Sequence, residues 1–389
     1  MIIARAPMRI SFGGGGTDLE AYYGRFGGLV LSAAITRYAY VVARPSPDQG
    51  ISIVSADYRR VEHLPPGQPI AVGEPLALPK AALAAFDGRA HCGGPRARGV
   101  QLVLAADVPP GTGLGSSSAM AAALVRALAE YIGMPLDAAR TADLACQIEI
   151  ERLGLPIGKQ DQYASAFGGL NSIAFASAGV CVTPLALPDG ALDALASRLL
   201  LFATGGTRNS ASILHGQRAD TRDNPAVVER LHRLKTLAVA MRDALLAEDF
   251  DDFGALLDRA WQEKRGLSAA ISSDAIDAAY AAARAAGALG GKITGAGGGG
   301  FLLLYAPPRR RAAVRAAMAS RGLRELSFAF DRAGATVPHS HEERRAALDH
   351  IAHRTDLRDW HGLRERWESP SSPSSPFMRG AAPVRRTAD

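Results

Sequence analysis

The stretch Pro109-Pro-Gly-Thr-Gly-Leu-Gly-Ser-Ser-Ser-Ala-Met120 lies between an apolar run, VQLVLAAD, and a segment with Ala, Leu and Val at helical spacing over Ser118–Tyr131. A strand, a glycine loop and a helix in that order leave backbone N–H groups unsatisfied at the helix start, where the helix dipole also favours an anion. A side chain at Gly111, Gly113 or Gly115 would hold a ligand's oxygens away from that backbone. The loop lacks the Gly-Lys-Ser/Thr ending of a P-loop and the spacing of the dinucleotide fingerprint. Ser116, Ser117 and Ser118 add hydroxyls able to ligate Mg²⁺ or to meet phosphate oxygens. The competing reading is a serine that caps the helix, beside glycines that only turn the chain.

Two other places are as rich in glycine. In MRISFGGGGTD (residues 8–18), four consecutive glycines follow a strand-like run and lead to Asp18. A carboxylate there suits sugar hydroxyls, which donate hydrogen bonds to it, although it could equally cap the next helix. Arg9 can balance phosphate charge or form a surface ion pair. The third place is Lys292-Ile-Thr-Gly-Ala-Gly-Gly-Gly-Gly-Phe301, which can pack beneath another glycine loop, close over a ligand, or serve as a plain hairpin.

The chain has 389 residues, 48% of them hydrophobic, enough for two domains with real cores. No apolar run reaches the roughly 18 residues of a membrane span, and MIIARAPMRIS carries no signal-peptide pattern. Cys92, Cys146 and Cys181 are odd in number and lack metal-type spacing. They imply a reduced, cytoplasmic setting and three buried, inert thiols. The net charge of +6 comes from basic residues interleaved with acids. That pattern argues against nucleic acid and suits an enzyme handling anionic small molecules.

Short strands are expected at Met1–Ile10, Leu29–Ala34, Ala39–Ala43, Ile51–Ser55 and Val100–Ala105. Helices follow at Ser118–Tyr131 and Leu136–Arg152. Further strands are Asn171–Phe175 and Cys181–Leu187, and Pro188-Asp-Gly190 marks a boundary. Helices are expected again at Pro225–Leu246, Phe250–Leu267, Ile276–Ala286 and Arg309–Arg321, with FLLLYA and ELSFAF as strands. This order argues for an α+β fold. The domains expected are 1–188, 189–335 with the last glycine-rich loop, and 336–389, a helical extension (His339–Arg366) with a disordered Ser/Pro-rich tail.

Taken together, PPGTGLGSSSA, APMRISFGGGGTD and KITGAGGGGF resemble, in order and spacing, the three motifs of the GHMP kinase superfamily, which includes galactokinase, homoserine kinase and mevalonate kinase. The resemblance covers roughly residues 1–335. It implies a two-domain α+β fold with the active site in the interdomain cleft, and transfer of the ATP γ-phosphoryl group with Mg²⁺. It places the ATP phosphates on Gly111, Thr112, Gly113, Leu114, Gly115, Ser116, Ser117 and Ser118. It places the acceptor beside Gly14, Gly15, Gly16, Thr17 and Asp18, with Gly295, Ala296 and Gly297 of the third motif nearby.

In IEIERLGLPIGKQDQYASAFGG, a galactokinase-like pattern implies that Glu149 binds Mg²⁺ with Ser117, and that Asp161 receives or orients the acceptor proton. Glu151 is the fallback metal ligand, since residues two apart face different sides of a helix. The same pattern makes Arg9 the arginine that holds Asp161 ionised and stabilises transition-state charge.

The Glu-His pair of galactokinases is replaced here by Gly15 and Gly16. GGGGTD, DQYASAFGG and FATGGTRNS are most similar to the superfamily branch acting on D-glycero-D-manno-heptose 7-phosphate. An acceptor that already carries a phosphate needs cationic or N–H donors, for which Lys159, Arg208 and Lys292 are the candidates; each could instead be a loop residue with no ligand. The expected reaction is phosphorylation of the anomeric hydroxyl. The alternatives are a sugar-1-kinase for an unphosphorylated sugar such as fucose or galactose, and a non-catalytic sugar sensor. The implied partners are ATP and a small-molecule sugar or sugar phosphate, with no nucleic acid and no membrane. The oligomeric state is open between monomer and homodimer.

Overall fold

The first 45 residues build the spine of the molecule. In the computed structural model, which describes residues 1–87, 99–204, 216, 219–338, 342, 344–345 and 347–349, β1 (Ile2–Gly13) runs antiparallel to β2 (Gly28–Pro45). The pairing runs from Ile2 opposite Ala43 to Gly13 opposite Leu31. Where two strands were expected, Leu29–Ala34 and Ala39–Ala43, one continuous strand forms. Its other edge has three partners in succession: β5 (Val100–Ala106) along 39–45, β6 (Leu170–Ala176) along 28–33, and residues 329–330 between them. Thr36 N–H donates to the Ala329 carbonyl at 2.9 Å, so the polar middle of β2 is satisfied by chain that lies far away in sequence. β3 (Ile51–Ser55) is parallel to β5, β4 (Arg60–Leu64) is antiparallel to β3, and β7 (Gly179–Pro184) is antiparallel to β6.

Helices α1 (Glu20–Phe26) and α2 (Ala77–Phe86) precede α3 (Ser116–Tyr131), which packs on β1 and β2. Next comes α4 (Ala138–Cys146), which continues into a π-helical turn at Gln147–Arg152, and then α5 (Gln160–Phe167). A short α6 (Ala191–Ala196) leads to β8 (Leu199–Ala203).

The second sheet has the order β11-β8-β10-β9, all antiparallel, with β9 (Gly290–Ile293), β10 (Phe301–Tyr305) and β11 (Arg324–Glu325). Between β8 and β9 run α7 (Pro225–Leu246), α8 (Phe250–Arg265) and α9 (Asp274–Ala285); α10 (Arg311–Ala319) follows β10. Asn224, Asp249 and Ser273 cap the three inner helices through side-chain oxygens that accept backbone N–H bonds.

Helix α7 reaches β1 and β2, while α8 packs on β9, so this helix pair ties the two sheets together. Phe253 of α8 meets Phe12 of β1 edge-to-face at 5.3 Å and Tyr305 of β10 at 6.2 Å. Residues 1–339 form one compact unit around a large apolar core.

Two further expectations fail here. ELSFAF is not a strand: β11 ends at Glu325. Leu326 N–H still bonds to Leu201 of the second sheet, but Phe330 already bridges Ile35 of the first. The segment divides its pairing between two sheets, which no single strand can do. Cys181 is exposed rather than buried, because β7 is the outer strand of its sheet. Cys146 is buried, and burial raises its thiol pKa well above the usual range. Cys92, the expected extension over His339–Arg366 and the Ser/Pro-rich tail lie wholly or largely outside the described residues. No helix among the described residues is long and apolar enough to cross a membrane.

Candidate active site

A cleft of about 250 Å³ opens where the three glycine-rich segments meet. Helix α3 starts at its lip. The cap position is Gly115, with no side-chain capping bond, so none of the three serines caps the helix. The turn before it needs bare backbone. Gly113 sits at φ +84°, and a Cβ there would lie 2.5 Å from the Thr294 carbonyl. From the opposite side, a Cβ on Gly300 would lie 2.1 Å from the Thr112 carbonyl. The third glycine segment therefore packs directly against the first. Gly111, by contrast, has nothing within 4 Å of its Cβ position and faces open space.

The chemistry-bearing side chains converge on this turn. Arg9, on β1, is buried and grips Asp161, in the first turn of α5, with two parallel bonds: Nε to Oδ1 at 2.8 Å and Nη2 to Oδ2 at 2.7 Å. Its Nη1 donates to the Gly113 carbonyl at 2.5 Å, so one guanidinium joins the carboxylate to the glycine turn. Asp18 is also buried. It accepts from Gly16 N–H at 2.9 Å and from Gln160 N–H, at the start of α5, at 3.3 Å. Burial, and then the neighbouring Asp161, push its pKa up; the backbone donors oppose the shift. Gly158 makes this approach possible, because a Cβ there would lie 1.9 Å from Asp18 Oδ2.

Glu149 stands on the π-helical turn, a local widening of the helix that is frequent at functional sites. It is fully buried. Its Oε1 accepts from Ser117 Oγ at 2.7 Å and its Oε2 from Gln162 Nε2 at 2.6 Å. Burial raises its pKa, against the pull of Ser117, Ser118 and Gln162. Ser117 itself is exposed at the cleft, so its hydroxyl links the interior carboxylate to whatever occupies the site.

Ser11, Gln160 and Thr294 line the same space, and each keeps a buried oxygen with no hydrogen-bond partner: Oγ, Oε1 and Oγ1 respectively. Native proteins rarely leave such atoms idle except where a ligand or water completes them.

Several expected residues are placed elsewhere. Glu151 is exposed and is not among the residues lining the cleft. Lys292 is buried, with its ammonium donating to the carbonyls of Ser11 at 2.8 Å and Phe12 at 3.2 Å; it fastens β9 to the end of β1. Lys159 sits 5.6 Å over the Tyr23 ring. Neither lysine lines the cleft. Arg208 lies outside the described residues. A residue that motif reading missed does line it: Lys264, at the last turn of α8, buried and bonded to the Gly295 carbonyl. The available signal was a lysine on the apolar stripe Phe253, Leu257, Ala260, Trp261, where a core side chain is expected.

Residues 77–169 match the family described as GHMP kinases N terminal domain, and residues 241–323 match GHMP kinases C terminal. The D-glycero-alpha-D-manno-heptose 7-phosphate kinase of Campylobacter jejuni is 31% identical over 297 residues, covering 76% of this chain and 86% of the relative. The chain belongs to the GHMP kinases. The crystal structure of a D-glycero-D-manno-heptose 1-phosphate kinase from Bacteroides thetaiotaomicron superposes with a TM-score of 0.73 at 29% identity, over 88% of this chain and all of that one. The L-fucokinase/L-fucose-1-P guanylyltransferase of Bacteroides fragilis is 28% identical over 72% of this chain but only 32% of its own length. As a GHMP kinase of this kind, the protein is an ATP-dependent sugar or sugar phosphate kinase, with ATP as co-substrate.

Proposed function

We propose that this kinase transfers the γ-phosphoryl group of ATP to the anomeric hydroxyl of D-glycero-D-manno-heptose 7-phosphate, giving the 1,7-bisphosphate. The likeness to the Campylobacter jejuni 7-phosphate kinase carries the proposal. Gly15 and Gly16 support it. Where galactokinases carry two large polar side chains, a Cβ at Gly15 would meet nothing closer than 3.6 Å, leaving room for a longer acceptor.

The triphosphate lies against the 111–118 turn, on the N–H groups that start α3. Asp18 accepts from acceptor hydroxyls and sets the sugar's orientation. Asp161 faces the anomeric hydroxyl and accepts its proton as the oxygen attacks. The bond from γ-phosphorus to the β–γ bridging oxygen breaks with its electron pair left on ADP, and a new P–O bond forms to the sugar. Arg9 fixes the Asp161 carboxylate by two bonds, so its aim is set before substrate arrives.

Ser117 and Glu149 fit a hard divalent cation: both offer oxygen, and they stand 2.7 Å apart between the cleft and the interior. Mg²⁺ held by them would neutralise charge on the nucleotide phosphates.

The test is ATP consumption by the purified full-length chain across free and phosphorylated sugars. Selective use of the heptose 7-phosphate is expected; selective use of free fucose or galactose overturns the acceptor assignment. That second reading, a free-sugar 1-kinase, draws support from Lys159 and Lys292, which stand away from the cleft. Arg208→Ala separates the two: KM for a phosphorylated acceptor rises well beyond any change for ATP only under the first reading.

A further inference from the structure

We propose that Lys264 is a catalytic residue of this kinase, its ammonium contacting the non-bridging oxygens of the phosphoryl group as it passes from ATP to the sugar. The proposal rests on the triphosphate lying at the 111–118 turn, and it holds for whichever sugar is the acceptor.

Five ionisable side chains line the cleft among the described residues: the carboxylates Asp18, Glu149 and Asp161, and the cations Arg9 and Lys264. Arg9 is committed to Asp161 and to the Gly113 carbonyl, using Nε, Nη1 and Nη2. Lys264 is the other cation, and the bond found for it is to a neutral acceptor, the Gly295 carbonyl. A buried ammonium with three donors and one neutral acceptor is suited to receive an anion.

Its position says which anion. Gly295 packs on Gly113, since a Cβ on Gly295 would lie 2.5 Å from the Gly113 Cα. The carbonyl that Lys264 holds is therefore one backbone layer from the glycine turn. The charges it feels are Arg9 from β1, Asp18 from the loop after β1 and Asp161 from α5, and it acts in turn on Lys292 of β9. Those are the groups around the acceptor hydroxyl. A phosphate already on the sugar's seventh carbon would lie at the far end of the acceptor, whereas the transferring group passes between the glycine turn and Asp161. In the transfer, Lys264 keeps its proton: the P–O bond to ADP breaks, the bond to the sugar oxygen forms, and the hydroxyl proton leaves through Asp161. The lysine serves only as fixed charge where the three equatorial oxygens pass.

Burial, with Arg9 adding to it, lowers the Lys264 pKa to about 8, while Asp18 and Asp161 pull the other way. The cationic form therefore prevails below that pH and is lost above it. In the parent enzyme kcat/KM, which reports the free protein, falls as pH rises through about 8. Lys264→Arg keeps its charge throughout, so this alkaline limb disappears.

The experiment compares Lys264→Met and Lys264→Arg with the parent by kcat, ATP affinity from nucleotide titration, thermal melting and pH profile. Lys264→Met is expected to lose on the order of 10²–10³-fold in kcat, with ATP affinity within about threefold (a small part of a tenfold step). A folded Lys264→Met that keeps kcat within about threefold overturns the proposal. So does loss of kcat together with ATP affinity while Lys264→Arg retains the parent's alkaline limb, since that describes only a tether for the Gly295 loop. Should Lys264→Met not fold, the parent profile decides: a level kcat/KM through pH 8 to 9.5 overturns it. Ser117→Ala and Asp161→Asn are measured alongside. If both leave activity unchanged, the placement of ATP itself is wrong; if both lose activity and Lys264→Met does not, only the role of the lysine fails.

Discussion

Glu149 shows how a single residue can be held at odds with the stability of its own fold. It is a fully buried carboxyl whose pKa is raised, chiefly by burial. Such a group binds more protons folded than unfolded, so stability falls as pH rises from the unfolded pKa toward the raised folded one. Glu149→Gln removes that slope. The amide is also easy to accommodate. Gln162 now donates Nε2 to Glu149 while its own Oε1 has no partner, and turning its amide over would present that oxygen to the new NH₂. Glu149→Gln is therefore expected to melt no lower than the parent near neutral pH, while kcat with Mg-ATP falls on the order of 10²-fold. A melt clearly below the parent would show that the carboxylate is structural. Asp161→Asn should behave in the opposite way. It leaves the buried Arg9 without a counter-charge, at a cost of about 3–5 kcal/mol, and removes the proton acceptor. Melting temperature and kcat both drop, with ATP affinity nearly preserved; unchanged kcat would mean that the substrate's own phosphate takes the proton.

Among the elements, the apposed glycine loops carry the most specific expectation. Gly300 has φ +95°, and a Cβ there would lie 2.1 Å from the Thr112 carbonyl, so Gly300→Ala forces the third segment away from the first. It is expected to destabilise the protein by at least about 2 kcal/mol and to weaken ATP binding, read by denaturant melts and nucleotide titration. A neutral result would mean that the two loops are not coupled. Elements were legible in the sequence where one physical rule acted alone. Helix α7 matches its amphipathic pattern from Pro225 to Leu246, and the glycine turn before α3 declared itself through residues that only a close approach requires. Helix α5 was not legible. Its buried residues include Gln162, which bonds to Glu149, and Ser165, so the 3.6-residue apolar rhythm is broken by polar side chains. Strand β9, GGKI, had no side-chain signal: Gly291 is bare because a Cβ would lie 2.4 Å from the Leu303 carbonyl, and Lys292 points into the interior. Lys264 was hidden for a related reason, since motif reading looks to loops while this cation enters the cleft from a helix core position.

For the molecule as a whole, the return of the chain to its first sheet matters most. After β11 the backbone leaves the second sheet and pairs with the first. Thr36 bonds to Ala329, Asp331 N–H to Ala34 and Gly169 N–H to the Asp331 carbonyl, while Arg5 and Thr336 exchange two bonds of 2.9 Å. The Asp331 carboxylate gathers Tyr38 O–H, Ala333 N–H and Gly334 N–H. The bonds at Ala34 and Thr36 close the gap on β2 between β5 and β6, those at Arg5 hold β1, and the Ala166 carbonyl of α5 accepts from Ala335 N–H. The strap thus supports the helix that carries Asp161, although it contributes no residue to the cleft. A chain ending after Leu326 exposes the middle of β2 and leaves α5 without that support. It should melt well below the parent, and whatever remains folded should lose kcat more than ATP affinity, because the strap's bonds named above reach α5 and none of them reaches the glycine turn. A chain ending after His339 keeps every one of these bonds and every residue that lines the cleft. Its kcat/KM and melting temperature should stay within about twofold and about 3 °C of the full-length protein, roughly the shift from 1 kcal/mol in a domain of this size. If the shorter truncation costs as much as the longer one, residues 340–389 do catalytic or structural work that the strap cannot account for.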